Sequence, residues 1–188
     1  MKEQLKKVLN EKRYKHSIGV AEEAKRLASF YGADTDKAYT AGLLHDCAKC
    51  YSVGEQIELC EKKGVMLDRA TLDCPAAIHG FLGAEIVRTE YGIDDTDILN
   101  AIRYHTVGRA GMTLLEKIVY IADMTEEGRD FDGVDELRAA LKKDLDEAVL
   151  RSVRQQFMLQ YSRLGVIHPN MIYMWNDLIL NKKQEKRG

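Results

Sequence analysis

Apolar residues recur at intervals of three and four along almost the whole chain, and no long stretch alternates apolar with polar residues. An α-helix with one buried face has this period, whereas a half-buried β-strand alternates at a period of two. Prolines, which interrupt helices, occur only twice. The pattern therefore predicts an all-α fold. The expected helices cover about 14–31, 34–49, 52–63, 75–91, 95–104, 113–124, 134–141, 144–164 and 169–181, with a connector at 64–73 and a frayed charged tail at 182–188.

The length of the chain suits one domain with a complete core. It has 188 residues, of which 45% are hydrophobic. No internal repeat or low-complexity linker divides it. We therefore expect a single domain over residues 1–188, with a core at about 14–130.

The charge balance limits the partners. Lysine and arginine total 28 against 30 acidic residues, so the basic excess typical of nucleic-acid or membrane-surface proteins is missing. No apolar run approaches the roughly 20 residues that span a bilayer, and residues 1–13 lack the apolar stretch of a signal peptide. We expect a cytoplasmic protein that binds neither nucleic acid nor membrane. Its four cysteines are expected to be free thiols, with the lone CxxC of Cys47 and Cys50 used for packing.

Several polar residues are predicted to face the core. His16 continues the apolar stripe of its helix, and His45 and Asp46 directly follow the apolar and small residues 41–44. Asp123 ends the mostly apolar run 117–122. Buried imidazoles and carboxylates are costly unless a partner satisfies them, and a metal ion is one such partner.

Two further histidines extend this set. His79 lies where a helical pattern begins, and His105 lies at the end of another helical run. Imidazole and carboxylate ligands together suit iron, manganese or zinc. No cysteine joins the set, which argues against a structural zinc site. The residues alone leave a metal phosphohydrolase and a metal oxygenase open.

The order of these residues resembles a known signature. His16, then His45-Asp46, then Asp123 resembles the HD-domain pattern H…HD…D, and His79 and His105 resemble the expanded form that usually holds two metals. Longer segments are similar to the bacterial YqeK family of HD-domain proteins. These segments are HSIGVAEEAKRLA, AGLLHDCAK, IHGFLGAEIV, AIRYHTVGR, LLEKIVYIADMTEEGRDF and GVIHPNMIYMWN.

The resemblance implies an HD-domain helical bundle with extra C-terminal helices. It also implies symmetrical cleavage of diadenosine tetraphosphate into two molecules of ADP. The implied cofactor is one or two divalent transition-metal ions, with iron preferred and manganese or zinc as alternatives. The implied partner is a dinucleoside polyphosphate or another small nucleotide, and a homodimer is left open.

The expected site has three groups of residues. The metal ligands are His16, His45, Asp46 and Asp123, with His79 and His105 holding a second ion or contacting phosphate. The catalytic candidates are Asp46, Lys49, His79 and His105. The substrate-binding candidates are His79, His105, Arg109, Arg129, Ile167, His168, Pro169, Asn170 and Met171.

Three other functions remain open from the sequence. The first is an HD hydrolase that acts on a deoxynucleotide or a guanosine polyphosphate. The second is a di-iron oxygenase, because the expanded ligand set also serves that chemistry. The third is a binding module in which the metal only holds helices together.

Overall fold

The computed structural model describes residues 1–185 and contains helices and no β-strand within them. The α-helices are α1 Lys2–Val8, α2 Glu11–Tyr31, α3 Thr35–Leu44, α4 Val53–Lys62, α5 Arg69–Leu72, α6 Ile78–Glu90, α7 Thr96–Tyr104, α8 Leu114–Thr125, α9 Val134–Leu141, α10 Leu145–Ser162 and α11 Pro169–Glu185. Short 3-10 turns cover Cys47–Cys50 and Pro75–Ala77. The all-α prediction is confirmed. Among the described residues, no helix combines the length and apolar composition needed to cross a bilayer.

Local sequence signals set several helix ends. Ser52 and Glu55 form a capping box at the start of α4, and Thr113 and Glu116 form another at the start of α8. Gly32 ends α2 with a φ of 76°, a left-handed conformation that favours glycine.

Helix α2 packs on α3 and α8, and α8 also packs on α3, α7, α9 and α10, while α6 packs on α7. Two glycines allow unusually close packing. A Cβ atom on Gly42 of α3 would lie 2.9 Å from the Val20 carbonyl oxygen of α2, and one on Gly80 of α6 would lie 2.8 Å from the Arg103 carbonyl oxygen of α7. These close approaches bring the C-terminal end of α3 towards His16 and the start of α6 towards the end of α7.

The C-terminal helices extend the bundle on the outside of α8. Ala148, Val149 and Val153 of α10 are fully buried, and the Ser152 side chain contacts the Met124 sulfur. Helix α11 is linked to the start of α10 because Lys182 forms ion pairs with acidic residues there. These helices are the C-terminal addition that the resemblance implied.

Some predicted helix ends were wrong. The helix expected at 34–49 ends at Leu44, because the backbone leaves the helical region at Asp46 (φ −105°, ψ 15°). The N-terminal segment contains α1, whose Leu5 is buried in the core, and the connector contains α5. The last helix was expected to fray from residue 182 but continues to Glu185, because Lys182 forms an ion pair with Glu147. Residues 186–188 lie outside the described residues.

Candidate metal centre

His45 and His105 are oriented in the same way by the helices that precede them. Each caps the C-terminal end of its helix, α3 or α7, and its Nδ1–H donates to the carbonyl oxygen three residues earlier, at 2.7 Å to Gly42 and 2.7 Å to Ile102. This bond fixes the tautomer and leaves Nε2 with a free lone pair. The Nε2 atom of His45 is buried and has no hydrogen-bond partner in the described chain, as a metal-ligand position requires.

Asp46 lies between the histidines with its two oxygens facing different groups. Oδ1 is 3.1 Å from His79 Nε2 and 3.7 Å from His105 Nε2. Oδ2 is 3.5 Å from His45 Nε2 and accepts a hydrogen bond from Arg13 Nη1 at 2.6 Å. The carboxylate can therefore contact cations on two sides.

Asp123, at the end of α8, completes the cluster. Its Oδ1 is 2.9 Å from His16 Nε2 and 3.7 Å from His45 Nε2. Two triplets, His16–His45–Asp123 and His45–Asp46–His105, have ligand atoms within 4.8 Å of one another. Because metal–nitrogen and metal–oxygen bonds are about 2.0–2.2 Å long, these spacings suit a shared ion. The buried nitrogen-and-oxygen donor set therefore fits a divalent transition metal.

Electrostatics favour the protonation states that bind metal at His79, His105, Asp46 and Asp123. At His16, burial lowers the pKa, but the Asp123 and Glu126 carboxylates outweigh it and raise the pKa. Burial lowers the pKa of His105 to about 3 and also lowers the pKa of His79. Burial alone would raise the pKa of the Asp46 carboxyl, but His45, His79 and His105 hold it well below its usual range. Burial acts in the same direction on the pKa of Asp123, which His16, His45 and Arg129 nevertheless hold low. Neutral imidazoles and ionised carboxylates are the forms that coordinate metals.

His79 and His105 face each other beside Asp46. Their Nε2 atoms are 2.9 Å apart, and the Thr106 hydroxyl lies 3.1 Å from His105 Nε2 and 3.4 Å from His79 Nε2. The lone pair of His105 Nε2 suits a second ion, whereas a phosphate oxygen could accept only from the Nε2–H of His79.

The three predicted cations are placed differently. Arg129 lies at the cluster, where its Nε donates to the Asp123 carbonyl oxygen at 2.6 Å and its Nη2 bonds the Asp123 carboxylate. Lys49 is half-buried, and burial lowers its pKa. Arg109 instead bonds the buried Glu116 carboxylate, at 3.0 Å from Nε and 2.8 Å from Nη2. Arg109 therefore makes its side-chain ion pair outside the cluster.

The segment 167–171 lies to the His105 side. Ile167 and Met171 pack with Val107, the residue after Thr106. His168 is buried, but its ring contacts residues outside the histidine cluster. Its Nε2 lies 3.2 Å from the Thr71 hydroxyl, and its Nδ1 accepts from the Asn170 backbone N–H at 3.1 Å. His168 is therefore not part of the histidine cluster.

Sequence reasoning missed two residues that orient the cluster. Glu126 Oε1 accepts from His16 Nδ1–H at 3.1 Å, and its Oε2 accepts from the Gly128 backbone N–H at 2.6 Å. A Cβ atom on Gly19 would lie 2.6 Å from this carboxylate, so glycine makes room for it. Arg13 binds Asp46. The available signal was spacing, because Arg13 and His16 share a helix face and Glu126 follows Asp123 by three residues.

Comparisons with known proteins agree with this geometry. A model of the HD domain matches residues 13–128, which contain the four histidines and two aspartates of the cluster. The chain belongs to the HD-domain family. It is 40% identical to a symmetrical bis(5'-nucleosyl)-tetraphosphatase of Halalkalibacterium halodurans over 93% of each chain, and 38% identical to one of Bacillus subtilis over 93% of this chain and 94% of that protein.

A solved structure is similar to this HD-domain chain over nearly its whole length. It is a crystal structure from Clostridium acetobutylicum, described as a predicted HD superfamily hydrolase involved in NAD metabolism. The two chains are 46% identical with a TM-score of 0.93, and the match covers 96% of this chain and 95% of the other. The prediction of an HD-domain bundle is confirmed.

Proposed function

We propose that this HD-domain protein is a symmetrical bis(5'-nucleosyl)-tetraphosphatase that hydrolyses diadenosine tetraphosphate to two molecules of ADP. The observation that carries the proposal is its similarity to curated enzymes of that name over 93% of this chain. The His/Asp cluster supports it, because hydrolysis of a phosphoric anhydride needs an activated water and cations around the phosphates.

The proposed ligands of the metal are His16, His45, Asp46 and Asp123. Iron is the proposed ion, with manganese or zinc as alternatives, because each accepts mixed imidazole and carboxylate ligands. When bound, the ion would lower the pKa of water and polarise a phosphoryl oxygen. His79 and His105 would hold a second ion or contact the phosphates.

The side chains around the cluster supply the charge that a polyphosphate needs. Arg13 and Arg129 are 38% and 36% exposed in their side chains, and each bonds a carboxylate with part of its guanidinium group. An arginine has five N–H donors, so both retain donors for phosphate oxygens. Lys49 is the third proposed donor. Arg109 would have to break its ion pair with Glu116 before it could bind phosphate. We therefore propose Arg129 rather than Arg109 as the main arginine contact of the phosphates.

The segment 167–171 is the proposed contact for one adenosine. It lies beside the His105 side of the cluster, and its backbone leads into the N-terminal end of α11. A nucleotide held there by its adenosine would extend its phosphates towards the histidines. If its second phosphate reaches the cluster, water attacks that phosphorus and the other ADP leaves.

Hydrolysis in oxygen-18 water tests this reaction. We expect ADP as the only nucleotide product, with the label on a β-phosphate, because the attacking oxygen stays on the phosphorus that it attacks. AMP and ATP as the main products, or label on an α-phosphate, would contradict the proposal. Deoxynucleoside triphosphates and guanosine polyphosphates should be assayed in parallel, since faster turnover of either would assign the chain to another HD-domain activity.

A further inference from the structure

A cavity of about 920 Å³ opens beside the cluster, between α10 and the segment 124–137. Its volume falls within the range of about 300–1,000 Å³ that small-molecule sites occupy. Arg129, which bonds the Asp123 carboxylate, lines it, as does Met124, the residue after Asp123. The cavity therefore reaches the cluster through Arg129, although none of the clustered histidines and aspartates lines it.

The walls of this cavity carry apolar and aromatic groups. Met124, Phe131 and Leu137 line one side, and Met158 and Leu159 of α10 line the other. Phe131 is only partly buried and packs in neither buried hydrophobic cluster of the described chain. A ring that faces a cavity in this way offers a surface on which a nucleobase can stack.

The charged groups of the cavity favour an anion. Besides Arg129, three arginines of α10 and its C-terminal end line it against two acidic residues; the arginines are Arg151, Arg154 and Arg163, and the acids are Asp132 and Glu136. Within the described residues, neither Arg154 nor Arg163 forms an ion pair, whereas Arg151 pairs with Glu147. Unpaired guanidinium groups beside an aromatic wall suit the phosphate and base of a nucleotide.

A buried amide adds an unsatisfied acceptor to the wall. Gln155 lines the cavity, and its Oε1 is buried with no hydrogen-bond partner in the described chain. An unsatisfied buried acceptor is costly, and because this oxygen is closed to solvent, a ligand donor would remove that cost only after the Gln155 amide turns towards the cavity. Glutamine amides pair well with the edge of adenine, which presents an amino donor beside a ring-nitrogen acceptor.

We propose that this cavity is the subsite for the second nucleoside of the dinucleotide, with its base on Phe131 and its phosphates towards Arg129. The inference rests on the proposed function. A substrate with two identical nucleosides that is cut at its centre needs room on both sides of the reacting phosphorus. The segment 167–171 lies on the His105 side and the cavity on the Asp123 side, so the two ends of the substrate would occupy different places.

The test combines two cavity variants with a shortened substrate. Phe131→Ala removes the stacking surface, and Arg154→Ala, an exposed residue, removes an unpaired cation with little risk to folding. Adenosine 5'-tetraphosphate lacks the second nucleoside, and a cut at its centre gives ADP and pyrophosphate. Phe30→Ala is the matched control, because this ring is 60% exposed on α2 and does not line the cavity.

We expect the cavity variants to lose the preference for the dinucleotide over adenosine tetraphosphate. For the wild-type protein and Phe30→Ala, kcat/KM should be about tenfold or more higher for the dinucleotide than for adenosine tetraphosphate. This factor corresponds to the binding energy of one stacked base. Phe131→Ala should reduce this ratio towards one, mainly through the KM of the dinucleotide. Arg154→Ala should lower the kcat/KM for the dinucleotide more than that for the shorter substrate.

Other outcomes overturn the inference in distinguishable ways. If the wild type cleaves the dinucleotide but the variants affect both substrates equally, the subsite is wrong and the proposed function stands. If Phe131→Ala dissociates an oligomer in sedimentation velocity and lowers both activities alike, the cavity is an interface between copies. If wild-type protein cleaves no dinucleotide, the proposed function fails and the subsite with it.

Discussion

The His/Asp cluster, which is the proposed metal centre, and the neighbouring cavity use polar side chains in opposite ways. At the centre, His45 and Asp46 are buried, and each is tied to a second group, His45 to the Gly42 carbonyl and Asp46 to Arg13. At the cavity, Arg154 and Arg163 are exposed and make no ion pair within the described residues. The first region is therefore organised before any ligand arrives, whereas the second gains partners only from a ligand.

The backbone explains this difference. The histidines lie where two pairs of helices approach closely, at Gly42 of α3 against α2 and at Gly80 of α6 against α7, so a shift of one helix would move a proposed ligand. The cavity is instead lined in part by exposed residues of α10, among them Arg154, Met158 and Leu159, whose side chains are less constrained by packing. Substitutions should therefore have larger effects at the centre than at the cavity.

The largest effect is expected from the two adjacent ligands. His45→Ala or Asp46→Ala should remove the metal and nearly all hydrolysis, because each deletes a buried ligand that the cluster cannot replace. Metal content by plasma mass spectrometry, together with turnover, measures both. His168→Ala is the matched control for metal content alone, because it removes a buried histidine outside the cluster and should keep the metal, while its place in the proposed adenosine segment leaves turnover out of the comparison. Full occupancy in either ligand variant would refute the assignment.

A smaller effect is expected one contact further out, at Glu126. Glu126→Ala should weaken metal binding about 10- to 100-fold, the usual cost of losing a carboxylate that orients a ligating histidine. The metal affinity of Glu126→Gln should lie between those of the wild type and Glu126→Ala. Both carboxylate oxygens of Glu126 accept hydrogen bonds, whereas an amide offers only one oxygen.

Competition with a chelator measures this affinity without depending on turnover. Glu127→Ala is the control, because the neighbouring acid is exposed. Equal affinities for Glu126→Ala and Glu127→Ala would mean that the carboxylate does not position His16.

The grouping of the residues at the proposed metal centre was easier to predict from the sequence than the lining of the cavity, for a physical reason. His45, Asp46 and Asp123 adjoin apolar runs, where an unsatisfied polar group is costly and therefore conspicuous. Phe131 and Arg154 gave no such signal, because a loop phenylalanine and a helix-surface arginine are common without function. Only the folded chain places them around one cavity.

The helices were also predictable to different degrees. Helices with strong N-caps, such as α4 with Ser52 as its N-cap, begin where the sequence indicates. The break at Asp46 was not predicted, because the apolar run that precedes it is a good helix pattern. What ends that helix is a tertiary arrangement, in which the Asp46 side chain lies between Arg13 and His79.

The smallest effect is expected at the C-terminal end of α10, where a substitution should raise the free energy of unfolding. Helix α10 ends in a Schellman motif, in which the Gly165 N–H bonds the Gln160 carbonyl oxygen at 2.8 Å and the Leu164 N–H bonds the Tyr161 carbonyl oxygen at 3.2 Å. Leu164 occupies the left-handed position of this motif with a φ of 51°, where glycine is usual, and it is 94% exposed.

Leu164→Gly should therefore raise the free energy of unfolding by about 0.5–1 kcal/mol, because it relieves the left-handed strain and removes almost no packing. Leu164→Val should lower it, since a β-branched side chain tolerates this conformation less well. Urea unfolding of the three proteins measures both changes. An unchanged midpoint for Leu164→Gly would mean that the leucine is not strained there. A gain would show that the end of α10 is not optimised for stability.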